Sequence, residues 1–282
     1  MEAMTRLVVL TCLAGATLVA QERAKPADTS PRAVLAAASG YLKTYQTALE
    51  FVLADEVTVQ EVFDERNRRT ARRQTTGDFF LSYVAADGGW LSVRDISVVD
   101  GRPVDAGDDL RGLLNRGSMA RIGRALADRN ARYNIGSVTR NFNDPMLALV
   151  ILDPKHQSRF RFERREVTAT ETGPLVTLSF TERDRPTLIL GSDMSPVYTR
   201  GELTIDAATG RLQRSFITMK DGPTTASLTT TFAKVDKMDL WLPSVLLERY
   251  EHATSQHKEQ VLVESKYTNF RKFGVTVRIR LP

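Results

Sequence analysis

The chain has 282 residues, of which 42% are hydrophobic and 26% charged. That is enough to bury a full core without disulfide or metal staples. Its 39 lysines and arginines against 34 acids leave a net charge of only +5, a mild balance that points to anionic lipid or glycan as a partner and away from nucleic acid. One cysteine, Cys12, and three histidines, His156, His252 and His257, leave little material for a thiolate or metal centre.

Met1 to Arg6, the apolar run Leu7 to Leu13 and the small residues through Ala20 have the three-part layout of a secretory signal peptide, with cleavage expected after Ala20. Cleavage there removes Cys12 and with it every form of cysteine chemistry. An exported protein, periplasmic or secreted, is therefore expected. Residues 21–30 read as a linker. Ser30-Pro31 is an N-cap and first-turn pair, and Val34, Leu35, Tyr41, Leu42, Tyr45 and Leu49 follow at helical spacing, which predicts a helix over about 31–50.

From Glu56 the pattern changes to β-prone runs: Val57 to Phe63, Phe79 to Val84 and Trp90 to Val99, the last entering an Asp100-Gly101 turn. Between the first two lie Arg66, Arg68, Arg69, Arg72 and Arg73. Five arginines in so short a stretch read either as a solvated hairpin tip or as a contact with an anionic membrane or envelope surface. A helical insertion is expected at about 106–154, ending in the apolar run Met146 to Leu152, where the preceding Asp144-Pro145 favours helix over strand. After His156 the chain reads as almost all strand. Val176, Leu178 and Phe180 alternate with polar residues, Thr204 to Thr218 form a hairpin turning at Gly210, and further strands cover about 226–235, 240–250, 260–271 and 275–281. Nine or ten strands in one antiparallel meander would have to curl. The predicted fold is α+β: a strongly curved half-barrel sheet with helices packed on its concave face, a single domain over 31–282.

No Gly-x-Ser-x-Gly, no phosphate loop and no metal-ligand spacing occurs in the chain. Acid pairs such as Asp55-Glu56 and Asp108-Asp109 leave a carboxylate hydrolase as a lesser alternative, decided by spatial separation. The most unusual string is Ala131 to Gly136 followed by Arg140 to Asn143, which mixes guanidinium, aromatic and amide groups in an expected loop. Tyr133, Asn134 and Arg140 there, with Arg94 and Arg185 on neighbouring segments, are the candidate ligand contacts. No cofactor is expected.

Taken with the signal peptide, the first helix and the terminal meander, the run Tyr198 to Asp206 through Gly210-Arg211-Leu212 resembles the paired mid-sheet strands of the periplasmic lipoprotein-carrier superfamily, which includes lipoprotein-localisation factors. The segments Leu240 to Pro243, Glu248-Arg249-Tyr250 and Tyr267 to Phe273 are also similar to uncharacterised exported bacterial proteins. The resemblance implies an apolar cavity between sheet and helices, occupied by acyl chains at about 0.8 kcal/mol per buried CH₂. It transfers no functional residue, and the long insertion departs from the superfamily pattern in a way that could fill the cavity. The function expected is binding of a lipid, lipoprotein or other amphiphile without catalysis, with a structural or interaction role in the envelope as the alternative.

Overall fold

The computed structural model describes residues 27–49, 51–84, 89–104, 126–138, 140, 143–191 and 193–272. The expected signal peptide, residues 106–125 of the expected helical insertion and the strand at 275–281 lie outside the described residues.

Helix α1 spans Pro31–Ala48 and starts as its sequence dictates, with the Ser30 hydroxyl accepting from the Ala33 amide at 3.3 Å and Pro31 in the first turn. Val34, Ala38, Leu42 and Tyr45 form its buried stripe. The strands that follow are β1 (Val52–Asp64), β2 (Arg69–Val84), β3 (Gly89–Val99) and β4 (Arg102–Pro103). After the short helix α2 (Leu147–Leu152) come β5 (Phe160–Thr170), β6 (Gly173–Glu182), β7 (Ile189–Leu190), β8 (Pro196–Val197), β9 (Thr199–Asp206), β10 (Leu212–Asp221), β11 (Thr224–Val235), β12 (Leu240–Ala253) and β13 (Lys258–Lys272).

Among the described residues, eleven strands make one antiparallel sheet in the order β4-β3-β2-β1-β13-β12-β11-β10-β9-β6-β5, and β7 pairs with β8 apart from it. The sheet is open, ending at β4 and β5. Two meanders compose it, and they meet where β1 pairs with β13 from Val52–Lys272 to Asp64–Glu259. The middle of the sheet therefore rests on partners some 200 residues apart in the chain, a non-local ladder that local pattern does not announce.

Alternation along β1 puts Val52, Ala54 and Val62 into the main core, together with Leu42 and Tyr45 of α1, Leu149 and Ile151 of α2, and Leu178, Leu203, Ile217 and Leu228 of the far strands. We call this the inner face. The apolar run after Asp144-Pro145 is helix, with Ala148, Leu149, Ile151 and Leu152 buried. Leu53, Phe80 and Val93 alternate with the inner residues, so they point to the opposite face, and there Leu126 covers them in a second, smaller cluster. The insertion thus contributes to both sides of the sheet at the β3 end, where the sequence placed helices on one face only.

The arginine-rich stretch lies partly in an exposed hairpin tip and partly in a strand. The chain turns over 65–68, and Arg69, Arg72 and Arg73 are already in β2.

Candidate functional site

In the centre of the inner face the alternation continues but the side chains change character. Between Ala54 and Val62 the inward positions of β1 carry Glu56, Thr58 and Gln60, all buried. Their neighbours on β13 and β12 are equally polar: Thr58 Oγ1 and Ser265 Oγ are 2.7 Å apart, and Glu248 is only 3% exposed. Register puts Gln60, Val263 and Glu248 in one row across β1, β13 and β12, so Gln60 and Glu248 stand on strands roughly 10 Å apart.

Over this polar patch lie residues 130–135, 140 and 143, tied down by hydrogen bonds to the sheet. Gln60 Nε2 donates to the Tyr133 carbonyl at 3.2 Å, and Gln60 Oε1 accepts from the Ile135 amide at 3.2 Å and from Arg140. The Arg140 guanidinium also donates to Asn134 Oδ1. From β3, Arg94 Nε donates to Glu56 Oε1 at 2.7 Å, and its terminal nitrogen donates to the Asn143 carbonyl at 3.0 Å and the Tyr267 hydroxyl at 3.1 Å. Asn130 Nδ2 donates to the Arg94 carbonyl at 2.6 Å.

Between sheet and overlying residues remains a cavity of about 390 Å³, lined by Gln60, Arg94, Asn130, Asn134, Arg140 and Glu248 among others, with Ile96 and Val263 as apolar wall. Burial raises the Glu56 carboxyl above the usual carboxylate range despite the Arg94 guanidinium beside it. Burial likewise raises Asp144, opposed chiefly by the amide of Met146. The Tyr250 hydroxyl, which donates to Glu248 Oε2 at 2.6 Å, is pushed well up by burial and then by the Glu248 charge.

Four buried polar atoms of the lining have no hydrogen-bond partner: Glu248 Oε1, Arg140 Nε, Asn130 Oδ1 and Ser92 Oγ. Native interiors rarely leave such atoms bare, because each forfeits its hydration for nothing. Among the described residues no group of three or more His, Cys, Asp and Glu is arranged to hold a metal ion.

Of the expected ligand contacts, Arg94, Asn134 and Arg140 converge on this cavity. Tyr133 contributes its carbonyl oxygen, while its ring lies under the Arg132 guanidinium at 4.8 Å and lines a separate recess with Arg73, Asp100 and Val104. Arg185 is elsewhere, donating to the Tyr198 hydroxyl at 3.2 Å. The arginine-rich stretch is well supplied with acids: Arg68 pairs with Asp64, Arg69 and Arg72 with Glu61, and Arg73 with Asp100, while Arg73, opposite Gln60 in the ladder, also donates to the Tyr133 carbonyl at 3.3 Å. Sequence reasoning named Glu56 only as half of an acid pair and missed Gln60 and Glu248. The available signal was polar residues at Glu56, Thr58 and Gln60 falling in phase with the apolar Val52, Ala54 and Val62.

No family model matches the chain, and no curated protein matches it. Among solved structures, the chain is similar to a putative outer membrane lipoprotein-sorting protein domain from Vibrio parahaemolyticus, at 12% identity and a TM-score of 0.44, over 88% of this chain and 93% of that one. It is also similar to a DUF1329 family protein from Desulfovibrio piger, at 11% identity and a TM-score of 0.41, over 90% of this chain and 96% of that one. Neither ligand nor partner passes from those proteins to this chain.

Proposed function

We propose that this is an exported, non-enzymatic binding protein for a lipid, lipoprotein or other amphiphile, held between the inner face of the sheet and the residues around Asn130, Asn134, Arg140 and Asn143 that lie over it. The observation that carries the reading is the cavity of about 390 Å³ with its mixed polar and apolar lining, a volume within the usual span of small-molecule sites. An eleven-stranded sheet has to curl, which would make the inner face concave and set α1 and α2 within it. The N-terminal pattern with its cut after Ala20 supports delivery to the envelope, where such ligands are found.

Binding fits the chemistry better than catalysis. Glu56 is committed to Arg94, Asp144 Oδ1 accepts the Met146 amide at 2.8 Å, and Glu248 Oε2 is committed to Tyr250. Carboxylates engaged in this way orient and neutralise their neighbours and are poorly placed to shuttle protons.

Native mass spectrometry of the protein purified from a membrane-containing lysate tests the reading. A reproducible co-purifying amphiphile, released on denaturation, is the expected result. A protein that emerges free of any amphiphile and takes up none from added lipid would overturn it.

A further inference from the structure

We propose that the polar part of the ligand is zwitterionic, its anionic group bound by Arg140 and its ammonium group by Glu248. This rests on the amphiphile reading for where the ligand sits, and it adds what the cavity recognises.

The argument is one of unmatched charge. Arg94 and Glu56 neutralise each other at 2.7 Å. Arg140 and Glu248 have no such partner among the described residues. Arg140, 6% exposed, donates only to the neutral amides of Gln60 and Asn134, and its Nε is bare. Glu248, 3% exposed, accepts only the Tyr250 hydroxyl, and its Oε1 is bare. A buried cation and a buried anion, each held by neutral groups and each with one unused hydrogen-bonding atom, line the same cavity. Uncompensated buried charges are expensive, so a site that keeps two of opposite sign is complementary to a ligand that brings both.

Geometry agrees. The Arg140 guanidinium is anchored on Gln60, and Gln60 shares a row with Glu248 across an intervening strand. Gln60, which anchors Arg140, and Glu248 thus stand on strands roughly 10 Å apart, and both charged side chains line the one cavity. A purely anionic head would satisfy Arg140 and face Glu248 with like charge. A purely cationic one would do the reverse.

Calorimetric titration of the full chain with dihexanoyl-phosphatidylethanolamine, dihexanoyl-phosphatidylglycerol and chain-free O-phosphoethanolamine tests this. The zwitterionic lipid should bind at least about tenfold more tightly than the anionic one, as charge-assisted bonds at both ends require. Glu248→Gln should erase that preference by strengthening binding of the anionic lipid, and Arg140→Gln should weaken binding of both lipids by about tenfold. Equal affinity for the two lipids overturns the zwitterion assignment and leaves amphiphile binding intact. Binding of O-phosphoethanolamine without either lipid supports the zwitterion and overturns the amphiphile reading. No binding of either zwitterionic probe overturns the proposal. The wild-type preference alone decides the matter if a variant fails to fold.

Discussion

Arg94 on β3 reaches across β2 to Glu56 on β1, closing an ion pair at 2.7 Å with its guanidinium 5.3 Å from the centre of the Phe79 ring on the strand between. The same guanidinium holds the Asn143 carbonyl and the Tyr267 hydroxyl. One side chain thus ties three strands and the overlying segment into the floor of the cavity.

Removing it should be costly. Arg94→Met leaves the Glu56 carboxylate buried without a counter-charge and frees the 143 end of the overlying segment. The expected loss is about 3–5 kcal/mol at neutral pH, read from urea unfolding. A loss under about 1 kcal/mol would show that Glu56 does not depend on Arg94 for its charge.

Glu56 itself makes a prediction of sign. Burial raises its pKa above the ordinary value of 4.5. A raised folded pKa means that its stabilising contribution is complete below the unfolded value and is lost as pH rises through the folded one. Wild type and Glu56→Gln should therefore have matching stability near pH 4, about where both side chains are neutral, and the glutamine variant should gain on wild type as pH rises to about 8. The readout is the unfolding free energy of both proteins across that range. A wild-type advantage that grows with pH would mean that attraction to Arg94 outweighs burial.

Two glycines of like conformation should respond unequally. Gly210 and Gly101 both have positive φ, 73° and 77°. A Cβ on Gly210 would stand 2.1 Å from the Ala37 carbonyl oxygen of α1, whereas one on Gly101 meets nothing within 4 Å. Gly101→Ala should cost about 1 kcal/mol from backbone conformation alone. Gly210→Ala should cost more, because α1 must lift from the β9–β10 turn. Thermal melts of the two variants give the comparison, and equal shifts would deny the close approach.

Leucine truncation should separate the two faces of the sheet. Leu42 is 2% exposed in the main core, and Leu247 is 46% exposed on β12. Leu42→Ala should cost about 2–5 kcal/mol and Leu247→Ala within about 0.5 kcal/mol. Urea midpoints of both variants check this, and a large loss at Leu247 would indicate that the exposed face is covered in solution.

Much of the fold was legible because its signals are local. Ser30-Pro31 announced α1, the Asp144-Pro145 start favoured helix for the run after it, and Gly210 marked its hairpin. The cavity was legible only in part. Arg94, Asn134 and Arg140 stood out by local composition, yet what each one touches depends on the β1–β13 and β13–β12 registers, which join distant segments. Glu248 falls in phase with the buried Leu246 and Tyr250 of its strand, and the register shows which polar groups of the neighbouring strands share its face. Arg185 looked like Arg140 in sequence, but its hydroxyl partner Tyr198 lies outside the cavity lining. Charge runs mislead for a related reason: three of the arginines between Arg66 and Arg73 are in a strand beside Glu61 and Asp100, which pair with them.

The most direct test of amphiphile binding in the cavity is photocrosslinking with a phospholipid that carries a photoreactive group next to its head, followed by peptide mapping. Labels on peptides from β1, β3, the 126–144 segment and β12, competed away by unlabelled lipid, are the predicted result. Labelling confined to the outer face or the 65–73 turn, or labelling that unlabelled lipid does not compete, would contradict it.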